Sequence, residues 1–373
     1  MNRATNPFKP TAGAEPPVLA GRKRVIEDFE DGLAEGPGAP GRLMRISGPR
    51  GSGKTVLLTE LGDIARSKGW VVVDETAGKG VVDRITARLA REVPEANASV
   101  DLDIGFMKAH AGVSSGMGAA VDIRAVLDAA SSRIGKKGVL VTIDEVQDAD
   151  KAEMASISAA VQHLIRERKD VAFVFAGLTT GVSDFINGEA MTFLRRAKDE
   201  QLDAIPDDEV AAALAGPFEG TGMSIAGEEL AAAVKEAQGY AYLVQLVGYN
   251  VWKAARRHLD ESPAASMADV RTGIAQADVD YANAVIEPAL SMLSERAMRY
   301  LVEMSKQEGV ASTGLIAKSM GVPATSLSSA RRTLIARQVI EPAGRRGYVR
   351  FAVPKMDAYV KEHADDLLAR YDD

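Results

Sequence analysis

The sequence of 373 residues contains no cysteine, which excludes disulfide bonds and thiolate metal sites. Only four histidines are present, and they are scattered, so a histidine-rich metal site has little support. No apolar run approaches the roughly 18 residues that a membrane-spanning helix needs, and the N-terminus lacks the apolar segment of a secretory signal peptide. We therefore expect a cytoplasmic protein with no membrane partner.

Charge is distributed unevenly along the chain. The formal net charge is −7, which disfavours nucleic-acid binding by the molecule as a whole. Between residues 294 and 354, however, ten lysines and arginines accompany four glutamates, a local charge of +6 that leaves −13 for the remainder. This asymmetry predicts a basic C-terminal module on an acidic body.

Short apolar segments alternate with helical patterns between residues 42 and 206. They predict strands at 43–47, 70–75, 139–144, 171–176 and 201–205, and a helix with one apolar face at 54–67. Continuous apolar strands separated by amphipathic helices are typical of an α/β fold, in which helices cover both faces of a parallel sheet. Scattered glycines and serines with weak periodicity predict a loop or insertion at 96–121.

A P-loop pattern, G-x-x-x-x-G-K-[ST], lies between the first predicted strand and the helix that follows it. It is matched by Gly48, Pro49, Arg50, Gly51, Ser52, Gly53, Lys54 and Thr55. Glycines let backbone N–H groups converge on phosphate oxygens, while the helix N-terminus adds partial positive charge. Lys54 is expected to reach the β and γ phosphates and the Thr55 hydroxyl to join a Mg²⁺ shell. The alternative is a simple glycine-rich turn, but the flanking strand and helix favour a site for ATP and Mg²⁺.

Two acidic residues, Asp144 and Glu145, end the predicted strand at 139–144. A carboxylate at the end of a buried strand can hold Mg²⁺, and the next acid can polarise the attacking water. Asp144 is therefore the predicted metal partner and Glu145 the predicted base. A strand-end cap is the alternative, and the upstream P-loop favours the catalytic interpretation.

Hydrolysis also needs groups that stabilise charge on the γ-phosphate. Thr179 and Thr180 follow the strand at 171–176, and we name the Thr180 hydroxyl as a candidate; the alternative is that both cap the next helix. Arg195 and Arg196 precede the last predicted strand, and one of them is a candidate arginine finger acting in cis or on a neighbouring subunit. Adjacent arginines on a surface are more often simply solvated.

The basic C-terminal module has a winged-helix pattern. Helices are predicted at 294–304, 312–319 and 324–337, and a short strand pair at 339–353. A short polar helix and a basic wing can occupy the major groove of DNA and clamp flanking phosphates. The predicted DNA contacts are Thr325, Ser329, Arg332, Arg345 and Arg346. Protein contacts are the alternative use of the same fold.

Together these motifs resemble those of the AAA+ ATPases, in the branch that holds the archaeal and eukaryotic origin-recognition initiators. The resemblance covers residues 16 to about 359 and includes Leu19-Ala-Gly21-Arg22, a box that lies near adenine in such proteins, so that it implies Gly21 and Arg22 as nucleotide contacts. It also includes Ala176-Gly-Leu178, Phe193-Leu-Arg-Arg196 and Gly239-Tyr-Ala-Tyr242. Two departures, threonines at the first sensor and no arginine in the last segment, favour slow hydrolysis.

The resemblance implies four parts along the chain. They are an N-terminal extension and helix at 1–41, a P-loop nucleotide-binding domain at 42–206, an all-helical lid at 207–290 and a winged-helix domain at 291–373. The first seventeen residues, rich in proline and small residues, are expected to lie extended along the surface.

Three functions fit this organisation. The first is an ATPase whose nucleotide state controls a winged helix bound to double-stranded DNA. The second is a signalling ATPase whose C-terminal module contacts protein partners, and the third is a nucleotide-binding scaffold without turnover. Besides DNA, the expected partners are a second copy of the chain in a homo-oligomer or another protein.

Overall fold

A computed structural model of the chain describes residues 5–11, 13–92, 123–132, 137–186, 193–260 and 262–371. The insertion predicted at 96–121 lies outside them. The chain forms two compact units. The sheet unit contains residues 22–48 and 54–202, and the helical unit contains residues 1–21, 49–53 and 203–373.

The sheet unit is built on five parallel strands in the order β2-β3-β4-β1-β5. Their bounds are β1 Leu43–Ser47, β2 Val71–Thr76, β3 Val139–Asp144, β4 Val171–Gly177 and β5 Lys198–Gln201. Every residue of β3 and β4 is buried. Because successive side chains of a strand point to opposite faces, burial of the whole strand means that both faces of the sheet are covered.

Six helices of this unit lie within the described residues. They are Lys23–Glu35, Lys54–Ser67, Val81–Glu92, Ile123–Ser131, Lys151–Arg166 and Thr179–Ile186, with 3-10 turns at Pro40–Arg42, Val146–Asp148 and Leu194–Arg196. In Lys54–Ser67, the predicted apolar face of Leu57, Leu58, Leu61 and Ala65 is buried. The helix Lys151–Arg166 begins at Asp150, whose carboxylate accepts the N–H groups of its first turn.

The fifth strand differs from the prediction of 201–205. The strand is Lys198–Gln201, and it pairs along β1 from Met44 to Ser47. It lies at the edge of the sheet and is polar. Because the prediction relied on apolar residues, it placed the strand at the apolar Leu202 and Ile205. Those two residues are buried just after the strand instead.

The helical unit contains the region predicted as a lid. Its helices are Asp207–Glu219, Gly227–Ala237, Ala241–Ala255, Met267–Tyr281 and Glu287–Leu290, with a 3-10 turn at Arg256–His258 and a π-helical turn at Ala282–Ile286. A capping box between Ser266 and Asp269 begins Met267–Tyr281. A Cβ on Gly273 would lie 2.5 Å from the backbone of Val251, so this glycine allows two helices to pack closely.

The N-terminal segment is not only a surface strand, and the expectation for the first seventeen residues was wrong at Phe8. That side chain is 1% exposed and belongs to the core of the helical unit. Its ring meets the edge of Phe218 at a centroid distance of 5.8 Å. The composition of the segment concealed this contact, because a single aromatic residue among prolines gives no periodic signal.

The C-terminal part of the helical unit has three helices and a small antiparallel sheet. The helices are Glu295–Ser305, Thr313–Ser319 and Ser328–Ala336, and the last is preceded by a 3-10 turn at Ala324–Leu327. The strands β6 Ala311–Ser312, β7 Ile340–Pro342 and β8 Tyr348–Phe351 lie in the order β6-β8-β7. Two further helices, Met356–Glu362 and Ala364–Ala369, follow. The helix predicted at 324–337 is therefore divided, and Thr325 lies in its 3-10 part.

Candidate functional site

The P-loop joins the end of β1 to the helix Lys54–Ser67. In the sheet unit, Lys54 is only 6% exposed, and its ammonium donates a hydrogen bond of 3.0 Å to the Gly48 carbonyl. Removing a charged ammonium from water is costly unless it has partners. The side chain is thus held at the end of β1, where a phosphate oxygen could replace the carbonyl as acceptor.

Residues 49–53 belong to the helical unit, where Gly51 and Gly53 adopt positive φ values of 73° and 89°. The Tyr240 hydroxyl donates to the Arg50 carbonyl, and the Tyr242 N–H donates to the Gly51 carbonyl at 3.2 Å. Burial raises the pKa of Tyr240, which keeps its hydroxyl protonated as a donor. A Cβ on Gly51 would lie 2.2 Å from that hydroxyl, so the contact requires glycine.

Thr55 and Asp144, the two predicted metal ligands, lie together in the sheet unit. The Thr55 hydroxyl donates to Oδ2 of Asp144 at 2.6 Å, while Oδ1 accepts the Glu145 N–H at 2.8 Å. Asp144 is 8% exposed at the end of β3. A hydroxyl and a carboxylate are hard oxygen donors of the kind that Mg²⁺ takes alongside water and substrate phosphates. This donor set fits the predicted ion.

Glu145 follows Asp144 with φ 54° and ψ 44°, the left-handed conformation that is uncommon outside glycine. Its carboxylate accepts a hydrogen bond from Nε2 of Gln147. Gln147 also accepts the Leu178 N–H, through Oε1, at 3.1 Å. Gln147 was not predicted as a site residue, because its partners come together only when β3 and β4 pair.

The remaining predicted catalytic residues lie beyond the end of β4. Thr180 falls in the helix Thr179–Ile186, and its side chain lies outside the described residues. Arg195 and Arg196 are exposed in the 3-10 turn Leu194–Arg196. The Nε of Arg195 donates to the Ile186 carbonyl at 3.0 Å.

A pocket of about 390 Å³ opens beside Thr55 and Asp144 in the sheet unit. Asp74 and Thr142 line it and are joined by a hydrogen bond of 2.8 Å from the threonine hydroxyl. Glu75 also lines it and forms ion pairs with Arg84 and Arg88. These polar side chains of β2 and β3 were not predicted as site residues, since an apolar strand pattern does not reveal which polar side chains share an edge.

The box residues Gly21 and Arg22 fall in different units. In the helical unit, the Gly21 N–H donates to the Glu209 carboxylate at 2.5 Å, and the φ of Gly21 is 71°. In the sheet unit, Arg22 is buried and directly precedes the helix Lys23–Glu35.

The predicted DNA contacts all lie on the surface of the C-terminal module. Thr325, Ser329, Arg332, Arg345 and Arg346 are exposed. The guanidinium of Arg345 lies 4.1 Å from the centre of the Tyr348 ring, which holds the arginine over the β7–β8 hairpin. Two glycines at positive φ, Gly344 and Gly347, shape the turn of that hairpin.

Residues 18–174 match the family model of the AAA ATPase domain. Over these residues the chain is similar to that family. Residues 283–360 match the model of a domain of unknown function, DUF8462. A comparison with curated proteins found no match.

Solved structures similar to the chain show the same P-loop AAA+ fold, and they confirm the predicted fold class. The Walker-type ATPase of Pyrococcus abyssi is 14% identical with a TM-score of 0.63, covering 92% of this chain and 96% of that one. The Aeropyrum pernix ORC2 protein, in ADPNP-ADP complexes, is 14% identical with a TM-score of 0.61 and 97% coverage of both chains. Cdc6p from Pyrobaculum aerophilum is 14% identical with a TM-score of 0.51, and the match covers 97% of both chains. Such low identity establishes the fold alone. Among the described residues, no helix is both long and apolar enough to cross a membrane.

Proposed function

We propose that the chain binds ATP with Mg²⁺ on its P-loop and hydrolyses it. The observation that carries this proposal is the 2.6 Å hydrogen bond between Thr55 and Asp144, which brings a P-loop hydroxyl and a strand-end carboxylate to one point. The nucleotide in the ADPNP-ADP complexes of the Aeropyrum pernix ORC2 protein, which has the same fold, adds support. When bound, Mg²⁺ would neutralise phosphate charge.

In this proposal each residue has one task. The Lys54 ammonium exchanges the Gly48 carbonyl for a phosphate oxygen, and the glycine-rich backbone directs N–H groups at the phosphates. Thr55 and Asp144 would hold the metal. Glu145 orients a water molecule and takes its proton. Arg195, Arg196 and Thr180 remain candidates for stabilising charge on the γ-phosphate.

Calorimetry and single-turnover hydrolysis test this proposal. Lys54→Ala should abolish measurable binding of Mg²⁺-ATP, whereas Lys151→Ala, an equal loss of charge at an exposed lysine, should leave binding intact. Glu145→Gln should bind ATP but hydrolyse it about a hundredfold or more slowly, since general acid–base catalysis contributes about 10²–10⁴-fold. Equal single-turnover rates for Glu145→Gln and the parent would instead leave a nucleotide-binding scaffold.

For the C-terminal module we propose a winged helix that binds double-stranded DNA. The local charge of +6 supports this. In the part of the chain that the structure describes, no carboxylate forms an ion pair with Arg332, Arg345 or Arg346, so these charges are available to phosphates. By contrast, Arg299 is held by Glu295 at 2.7 Å and Arg350 is paired with Glu341.

The three arginines give a quantitative expectation. Neutralising about three phosphates gives a logarithmic salt slope of about −2.7, so the binding constant should fall about fortyfold between about 50 and 200 mM salt. A double variant, Arg345→Ala with Arg346→Ala, should reduce the slope by about 2. Arg299→Ala removes a charge of the same module and should change the slope little. Binding that does not depend on salt would contradict the proposal.

A signalling ATPase that acts on a protein partner is the second candidate function. Apolar exposure on the same module favours it, because Met292 is 73% and Leu315 57% exposed. If the parent fails to bind duplex DNA at low salt but retains a stable protein partner that Leu315→Ser loses, this function replaces DNA binding.

A further inference from the structure

Gln147 connects two strand ends of the sheet unit. It lies in the turn Val146–Asp148, directly after Glu145, and its Nε2 donates to Oε2 of that glutamate. Its Oε1 accepts the N–H of Leu178, the residue after β4, at 3.1 Å. A carboxylate can only accept and a backbone N–H can only donate, so the two partners allow one orientation of the amide.

Two glycines next to Gln147 leave room for its side chain. A Cβ on Gly177 would lie 2.7 Å from Oε1 of Gln147, and a Cβ on Gly181 would lie 2.5 Å from its Cβ. Val146 is fully buried in the core of the sheet unit and anchors the turn. The amide is therefore held from β3 on one side and from the end of β4 on the other.

We propose that Gln147 is a positioning residue that sets the direction of the Glu145 carboxylate and couples it to the end of β4. The inference deepens the proposed ATPase function and rests on it. Because Gln147 holds Oε2, the other oxygen of Glu145 is the one assigned to the attacking water. Leu178 directly precedes Thr179. A shift of the backbone at these two residues, caused by a bound nucleotide, would therefore reach Glu145 through the side chain of Gln147.

The first test replaces Gln147 by methionine, which keeps the length of the side chain and makes neither hydrogen bond. The kcat for ATP should fall about tenfold to a hundredfold, since misplacing a reacting group by about 1 Å costs about a hundredfold. KM and the calorimetric affinity for Mg²⁺-ATP should stay within about threefold, because the lost contact does not touch the nucleotide. Gln162→Met makes the same change at an exposed position and should leave kcat unchanged.

A double-variant cycle identifies the group through which Gln147 acts. In a Glu145→Gln background, Gln147→Met should cause little further loss, because residues that act as a unit are not additive. A full additional loss in that background would overturn the proposal, and so would an unchanged kcat in the single variant. Gln147→Glu keeps an acceptor for Leu178 but replaces the donor by a second carboxylate, so it should also lose kcat. If the methionine variant fails to fold, this variant carries the test.

Amide hydrogen exchange at Leu178 provides a measurement that needs no turnover. The exchange should become faster in Gln147→Met, which removes the acceptor, and should keep the parental rate in Gln147→Glu and Gln162→Met. If the parent hydrolyses no ATP above the Lys54→Ala background, the proposed ATPase function fails. The exchange rate at Leu178 then decides by itself whether Gln147 is coupled to the end of β4. Parental exchange in Gln147→Met overturns the coupling whatever the ATPase result.

Discussion

Replacing Phe8 by alanine should destabilise the helical unit selectively. The phenylalanine is held by neighbours on the helix Ala241–Ala255, as the Lys9 N–H donates to Gln245 at 3.1 Å and the Asn6 amide donates to the Tyr249 carbonyl at 2.9 Å. A Cβ on Gly248 would lie 2.4 Å from the Phe8 ring, so the ring packs where this glycine has no side chain.

The structure sets the magnitude of this effect. The side chain is 1% exposed and sits edge-on against Phe218, so truncation leaves a cavity that rigid helices cannot close completely. Phe→Ala changes in such positions cost about 3–5 kcal/mol. For a unit of this size, each kcal/mol lowers the melting temperature by about 2–4 °C, and we expect a decrease of about 6–20 °C.

The two tryptophans provide an assay for each unit. Trp252 is buried in the helical unit, where its indole N–H donates to Thr221 at 2.9 Å, and Trp70 is buried in the sheet unit. Trp70→Phe leaves Trp252 as the only indole, and Trp252→Phe leaves Trp70. Thermal unfolding followed by fluorescence in each background then reports one unit at a time.

The expected result is a lower midpoint in the Trp252 reporter and a smaller change in the Trp70 reporter. Phe8→Leu, which keeps a large apolar side chain, should lose clearly less stability than Phe8→Ala. An unchanged Trp252 midpoint in Phe8→Ala would refute the claim that the N-terminal segment is part of this core.

Three further changes test other contacts. Thr55→Val should weaken the Mg²⁺-dependent part of ATP affinity about tenfold to a hundredfold, because the ion would lose a hydroxyl ligand, a contact comparable to a hydrogen bond with a charged group. Thr55→Ser should retain the affinity, and calorimetry with and without Mg²⁺ measures both variants. Arg42→Met should destabilise the sheet unit by about 3 kcal/mol in denaturant titrations, since the buried guanidinium donates to two backbone carbonyls that would lose their partner. Arg370→Met should cost about 1 kcal/mol or less at neutral pH. Arg370 hydrogen-bonds Glu287 and lowers its pKa below 4.5, so this difference should persist above that pH and vanish as pH falls through the lowered pKa; a constant difference in pH-dependent unfolding would contradict it.

Local patterns predicted most of the sheet unit because its central strands are buried on both faces. β1, β3 and β4 begin within the predicted apolar segments, and the P-loop helix has its predicted bounds. The edge strand β5 was misplaced, since Lys198–Gln201 is stabilised by pairing with β1 and by ion pairs rather than by apolar burial. Its Glu200 is buried and paired with Arg24 and Lys198, a tertiary arrangement that no local pattern contains.

The residues of the candidate site were likewise predicted only in part. Lys54, Thr55 and Asp144 could be named as candidates from sequence because of their spacing to glycines and to strand ends, and their binding of nucleotide and metal stays a prediction. Gln147 could not, since its role depends on Leu178, which is 31 residues away along the chain and adjacent only when β3 pairs with β4. A glutamine in a short turn has no distinguishing pattern of its own.

Backbone conformation separately marks Glu145 as unusual. Among the described residues, the non-glycine residues with positive φ are Glu145, Arg168, Gln238, Gln338 and Lys355. Arg168, Gln238 and Gln338 follow the ends of helices, where a left-handed residue ordinarily stops the helix, and Lys355 precedes a helix. Glu145 instead follows a strand, so helix termination does not explain its conformation, which costs about 1–2 kcal/mol. Hydrogen bonds to Asp144 and Asp148 hold it there. Strain retained at a strand end beside Asp144 supports the inference that this conformation directs the Glu145 side chain.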